Sequence, residues 1–200
     1  ELYQAKKLYP FQENTVQSIL KELADNGKEF NLLFQLPTGG GKTVIFSETA
    51  RRYIETVKEK VLILTHRIEL SVQTSKQLAA IGVHNKVISS EVKEIPDEDE
   101  YNCFIAMVET LNNRLNDDKN FIKGVGLVIV DEAHYNSFRK IFQFYDNANI
   151  LGVTATPLSS NKALPLNDNY HKLLVGESIA SLIESCLLYT SPSPRDCLLS

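Results

Sequence analysis

Two stretches of this chain, Leu36–Thr43 (LPTGGGKT) and Val128–His134 (VIVDEAH), hold residue types suited to binding and cleaving a nucleoside triphosphate. In the first, Gly39, Gly40 and Gly41 let the backbone curl so that its N–H groups converge on phosphate oxygens, and Thr38 lies in the same loop. A helix starting directly after the loop adds the positive end of its dipole. Lys42 has the reach for the β- and γ-phosphates, and the Thr43 hydroxyl can ligate Mg2+. The general pattern G-x-x-x-x-G-K-[ST] asks for glycine at position 36, where this chain has Leu36. In the second stretch an apolar run ends in two adjacent carboxylates. Ligands of open α/β sheets sit at the carboxyl ends of strands, which is where Asp131 falls. Asp131 can hold the Mg2+ that bridges the phosphates, and Glu132 can orient and deprotonate an attacking water. Lys42 and Glu132 are therefore the candidate catalytic groups of a magnesium-dependent hydrolysis.

These residues need elements to hold them. Val16, Ile19, Leu20 and Leu23 recur at helical spacing and predict a helix over Thr15–Asn26, ended by Gly27. Asn31–Leu36 is a short apolar run of the buried-strand type. Thr43–Lys58 then reads as a helix, Val61–Thr65 as a strand, Glu69–Ile81 as a helix stopped by Gly82, and Lys86–Ser89 as a short strand. Glu91–Glu100 (EVKEIPDEDE) reads as a solvated loop. Tyr101–Met107, Val125–Val130 and Ile150–Thr154 are further strands, with a short helix over Phe138–Tyr145. Alternating strands and helices predict an α/β fold, a mainly parallel β-sheet flanked by helices on both faces.

Composition agrees with one globular domain: 200 residues, 43% hydrophobic and 23% charged. No apolar run approaches the ~18 residues of a membrane-spanning helix, and no basic, apolar leader opens the sequence. Cys103, Cys186 and Cys197 have no metal-ligand spacing, which suggests reduced thiols in a cytoplasmic protein. The net charge of −4 argues against a freestanding DNA-binding module but leaves room for a local basic face.

From about Leu8 to Ser185 the motifs resemble the first RecA-like P-loop domain of superfamily 2 helicases, the DEAD/DEAH-box group in its broad sense, in which PTGGGKT is a usual form. The resemblance implies ATP and Mg2+ as cofactors and nucleic acid as partner. It implies further roles. Gln12, in Tyr9–Gln12 (YPFQ), would read adenine. Thr65 and Arg67, in LTHRIELSVQ, and Thr110, in AMVETL, would contact the nucleic-acid backbone. Thr154 and Thr156, in GVTATP, together with His134, would couple the γ-phosphate site to nucleic-acid binding. His66 belongs to the second of these motifs without an assigned role. The THRIEL and TATP forms are similar to DNA-acting branches, among them type III restriction subunits and DNA-repair helicases, so DNA is favoured over RNA.

The domain is expected over residues 1–160, with 161–185 leading toward a second RecA-like domain that would supply an arginine finger. Glu1 and the lone Met107 suggest a cut N-terminus. Cys186–Asp196 (CLLYTSPSPRD) has the Ser/Pro composition of a disordered tail. It is also encoded, residue for residue, by a DNA string that resembles a common transposase sequencing adapter, so 186–200 is expected to be read-through. Two other readings are open: a P-loop NTPase that is not a helicase, and a nucleotide- or nucleic-acid-binding module without turnover.

Overall fold

The computed structural model describes residues 8–37, 39, 41–95, 98–156 and 168–176. The 186–200 tail and most of the expected 161–185 link lie outside the described residues, as do Thr38 and Gly40.

Seven strands form one sheet: β1 (Asn31–Gln35), β2 (Lys60–Thr65), β3 (Asn85–Ile88), β4 (Cys103–Met107), β5 (Val125–Asp131), β6 (Asn149–Thr154) and β7 (Lys172–Val175). Their order is β3-β4-β2-β5-β6-β1-β7 and every pairing is parallel. All strands therefore deliver their C-terminal ends to one edge. The helices are α1 (Pro10–Asn26), α2 (Lys42–Val57), α3 (Ile68–Ala80), α4 (Val108–Asp117) and the short α5 (Arg139–Phe142).

Continuous apolar strands follow from burial on both faces. In β2, Val61 and Ile63 join a core with Val16 and Ile19 of α1, Ile45 and Phe46 of α2, and Leu78 of α3. Leu62 and Leu64, pointing the other way, join Val108, Leu111 and Leu115 of α4 and Ile141 of α5. The expected doubly covered α/β sheet is thus the observed one. Among the described residues no helix is long and apolar enough to cross a membrane.

Helix α5 covers only Arg139–Phe142 of the expected Phe138–Tyr145, and three further elements differ from expectation. Helix α1 starts at Pro10 rather than Thr15, because proline is pre-set for the first helical position and buried Gln12 and half-buried Phe11 extend the packed face. Helix α4 is unanticipated. Its buried Val108, Leu111 and Leu115 have helical spacing, but only three apolar positions mark it. Strand β7 adds to the free side of β1, with Leu32–Gln35 opposite Lys172–Val175. Its exposed residues carry no period-2 signal of burial, so only its tertiary neighbour identifies it. Within the described residues of Glu91–Glu100, a 3-10 turn at Glu98–Glu100 interrupts the loop.

Candidate functional site

Strand β1 enters the glycine loop through Leu36, which is fully buried and whose N–H donates to the Thr154 carbonyl of neighbouring β6 at 3.0 Å. A leucine thus occupies the pattern's first glycine position because the side chain there joins the core. Gly39 and Gly41 have φ of 82° and 78°, the left-handed conformation that a side chain would strain. Gly41 caps α2, with its carbonyl accepting from the Ile45 N–H at 3.1 Å, and Lys42 and Thr43 are the first two helical residues.

Strand β5 ends on Asp131, and the chain turns at once. Glu132 has φ of 55°, a left-handed conformation that costs a non-glycine residue ~1–3 kcal/mol. The turn is held by the Ala133 N–H on the Val153 carbonyl (2.9 Å) and the Tyr135 N–H on the Glu132 carbonyl (3.1 Å). This conformation sends the Glu132 carboxylate to the glycine loop, where its Oε1 accepts from Lys42 Nζ at 3.1 Å across 90 residues of sequence. The two stretches that carry the chemistry are therefore side by side.

Asp131 is 7% exposed. Burial pushes its carboxyl up to about 6 from an ordinary 3.8; the Glu132 charge adds to the rise and Lys42 opposes it. A desolvated carboxylate beside a second one, with a single lysine against the pair, leaves a local excess of negative charge. That donor set suits a hard divalent cation. Among the described residues no cluster of three or more acidic, histidine or cysteine side chains forms a cage. Mg2+ typically takes few protein oxygens and completes its shell with water and phosphate, so a cage is not required, and Asp131 and Thr43 are the residues that could hold it.

The coupling candidates also meet. His134 Nδ1 lies 3.1 Å from Thr154 Oγ1 and 3.3 Å from Glu132 Oε2. The Thr154 hydroxyl donates to the Thr156 carbonyl (2.6 Å) and accepts from the Thr156 N–H (3.1 Å), so His134 Nδ1 is the donor toward it. Thr156 enters this network through its main chain, and its exposed side chain is not part of it.

Other candidates stand differently from a simple contact reading. Gln12 is buried and its Oε1 accepts from the Tyr9 N–H at 3.0 Å, a helix-capping bond. Thr65 is fully buried, its hydroxyl bonded to Ser71 Oγ at 2.6 Å and near the Arg67 carbonyl at 3.3 Å. It braces the turn that presents Arg67, which is exposed at the head of α3. Thr110 is half-buried in the first turn of α4, whose N-cap is Met107. Thr65 and Met107 are register partners on adjacent strands, so Arg67 and Thr110 both follow strand ends at the sheet edge that carries Lys42 and Asp131.

The sequence reading assigned nothing to His66 and Tyr135. The His66 ring meets Tyr135 edge-on with centroids 4.2 Å apart, and Tyr135 in turn lies 4.3 Å from the His134 ring. The pairing of β2 with β5 creates this contact, and no local pattern announces it.

Comparisons with known proteins give the same picture. Residues 5–159 match the family described as type III restriction enzyme, res subunit. A putative ATP-dependent helicase of Saccharomyces cerevisiae, IRC3, is 34% identical over 152 residues, covering 72% of this chain and 22% of that protein. Other relatives carry both DNA-helicase and RNA-helicase names. The chain spans under a third of the length of the first curated relatives it matches. Among solved structures, the Type ISP restriction-modification enzyme LlaGI superposes with a TM-score of 0.70 at 16% identity, over 91% of this chain and 21% of that one. The Pyrococcus furiosus Hef helicase domain does so with a TM-score of 0.63 at 24% identity, over 81% and 38%.

Proposed function

Because the chain belongs to the type III restriction enzyme res subunit family, we propose that it is the first RecA-like motor domain of a longer, cytoplasmic, ATP-dependent helicase or translocase acting on DNA. The observation that carries this reading is the 3.1 Å contact between Lys42 and Glu132, which joins the phosphate loop to the acidic turn. In the nucleotide-bound protein, main-chain N–H groups of the Thr38–Thr43 loop and the head of α2 receive the phosphates. Lys42 exchanges its Glu132 partner for the β- and γ-phosphate oxygens. Asp131 and Thr43 would hold Mg2+, which when bound would supply neutralisation of the developing phosphate charge. Glu132, released from Lys42 but still held by its turn, orients the water and takes its proton. Gln12 contributes to the adenine side from the head of α1. His134 and the Thr154–Thr156 segment link this centre to the edge where Arg67 and Thr110 meet the nucleic-acid backbone, with Thr65 bracing Arg67 from below.

A second RecA-like domain in the longer protein would complete the site with an arginine finger, an addition worth roughly 10³–10⁵ in rate. DNA is preferred over RNA because the THRIEL and TATP forms resemble those of DNA-acting branches. The test is ATP turnover by the intact gene product, with and without DNA and RNA. DNA-stimulated turnover is expected, lost in Lys42→Ala and lowered by at least about 10²-fold in Glu132→Gln, the lower end of the range for removing a general base. A Glu132→Gln protein turning over at the wild-type rate contradicts the assignment of the water-orienting group. Nucleotide binding without turnover in the wild type would make the chain a binding module.

A further inference from the structure

Lys140 has no role in the reading above, yet its contacts place it at the edge assigned to nucleic acid. It is the second residue of α5, and its ammonium donates to Glu109 Oε1 at 2.5 Å, across 31 residues of sequence. Glu109 is exposed in the first turn of α4, beside Thr110. Topology explains the meeting. Strand β2 lies between β4 and β5, α4 directly follows β4, and α5 follows the turn after β5. Leu62 and Leu64 of β2 share one core with Val108 and Leu111 of α4 and with Phe138 and Ile141 from the other side. The Lys140–Glu109 pair therefore bridges two helices packed on one face of β2, the strand that leads into Arg67. Phe138, two residues before Lys140, also meets the His66 ring edge-on with centroids 4.4 Å apart, and His66 precedes Arg67.

Stability gives little reason for this pair. The two side chains are 35% and 70% exposed, and ion pairs so open to water contribute little to folding. Electrostatics at the edge gives a stronger reason. An exposed carboxylate beside Thr110 repels any phosphate arriving there, and Lys140 offsets that charge. Its flexible stem and three donors let the ammonium turn from Glu109 to a phosphate oxygen while α5 stays in place. The whole chain carries a net charge of −4, so attraction for a nucleic-acid backbone has to come from local cations. A hydroxyl and two cations, from Thr110, Arg67 and Lys140, are donor types that proteins use on phosphate oxygens.

We propose that Lys140 is a further phosphate-binding residue of the nucleic-acid edge: Glu109 holds its ammonium while no strand is bound, and a backbone phosphate beside Thr110 takes it over when one is. The proposal rests on the nucleic-acid reading of Arg67 and Thr110 given above.

The test uses the intact gene product without nucleotide. It measures affinity for single-stranded oligothymidine and oligouridine across a salt series, alongside the melting temperature. Lys140→Ala is expected to reduce the slope of log affinity against log salt by about 0.7, the share of one phosphate contact on a single strand, and so to weaken binding about five-fold at about 0.1 M salt. Lys140→Arg keeps the wild-type slope. Both variants melt close to wild type, because the pair is exposed. Glu109→Gln frees the lysine and binds more tightly than wild type, and in that background Lys140→Ala still lowers both affinity and slope. An unchanged slope in Lys140→Ala overturns the proposal. So does a loss that vanishes in the Glu109→Gln background, which would leave Lys140 as a neutraliser of Glu109 alone. A wild type that binds neither oligonucleotide contradicts the nucleic-acid reading itself, and this inference with it.

Discussion

At the scale of single residues, the site holds a carboxyl whose charged form is costly where it lies. Asp131 is buried beside Glu132, and its carboxyl is pushed up to about 6. A group whose folded pKa is raised contributes stability that is fully present below its unfolded value, near 3.8, and lost as pH rises through about 6. Asp131→Asn is therefore expected to stabilise the nucleotide-free chain at pH 7 by on the order of 1–3 kcal/mol and to flatten the change in melting temperature between pH 4 and 6. Thermal melts of both proteins across that range check this, and an Asp131→Asn chain that melts lower at pH 7 contradicts it. Lys42, Asp131 and Glu132 were legible in the sequence because each lies in a short motif whose local spacing sets its place at a strand end or helix head. Thr65, Thr156 and Gln12 were less so, since where a hydroxyl or amide points depends on partners: Ser71 takes the Thr65 hydroxyl, and the Tyr9 N–H takes Gln12 Oε1. The surroundings of His66 were illegible, because its ring partners Tyr135 and Phe138 are brought to it by the pairing of β2 with β5.

At the scale of elements, the head of α2 must be held still for Lys42 to meet Glu132. Its outer face is tied to α1 by Arg52, which donates to both Glu13 oxygens at 2.7 and 2.6 Å and to Glu48 at 2.7 Å. The Arg52 guanidinium, with help from Gln17, holds the Glu13 carboxyl down at about 2. A depressed carboxylate contributes stability above its unfolded value, near 4.5, and loses it as pH falls toward 2. Arg52→Ala should cost about 0.5–1 kcal/mol after solvent screening, because the pair is partly exposed. That corresponds to a few degrees or less in melting temperature, and the loss should disappear at pH 2. An equal loss at pH 7 and pH 2 would mean that Arg52 acts by packing. Element boundaries were legible where apolar spacing was dense, as in α2, α3 and β2. They were missed where a proline start (α1), three spaced side chains (α4) or an edge pairing (β7) defined the element instead.

At the scale of the whole molecule, parallel pairing matters most. It brings the ends of β1, β5 and β6 together at the proposed phosphate site, and those of β2 and β4 beside them, where Arg67 and Thr110 follow. This chain contributes one wall of the proposed ATP site, so taken alone it should bind nucleotide and turn it over slowly. The most direct test is calorimetric titration of ATP into the 200-residue chain with and without Mg2+, for the wild type and Asp131→Asn. Binding strengthened by Mg2+ in the wild type, with that strengthening abolished in Asp131→Asn, is the predicted result. Nucleotide affinity indifferent both to Mg2+ and to the loss of the Asp131 charge would contradict a metal-bound triphosphate between Lys42 and Asp131.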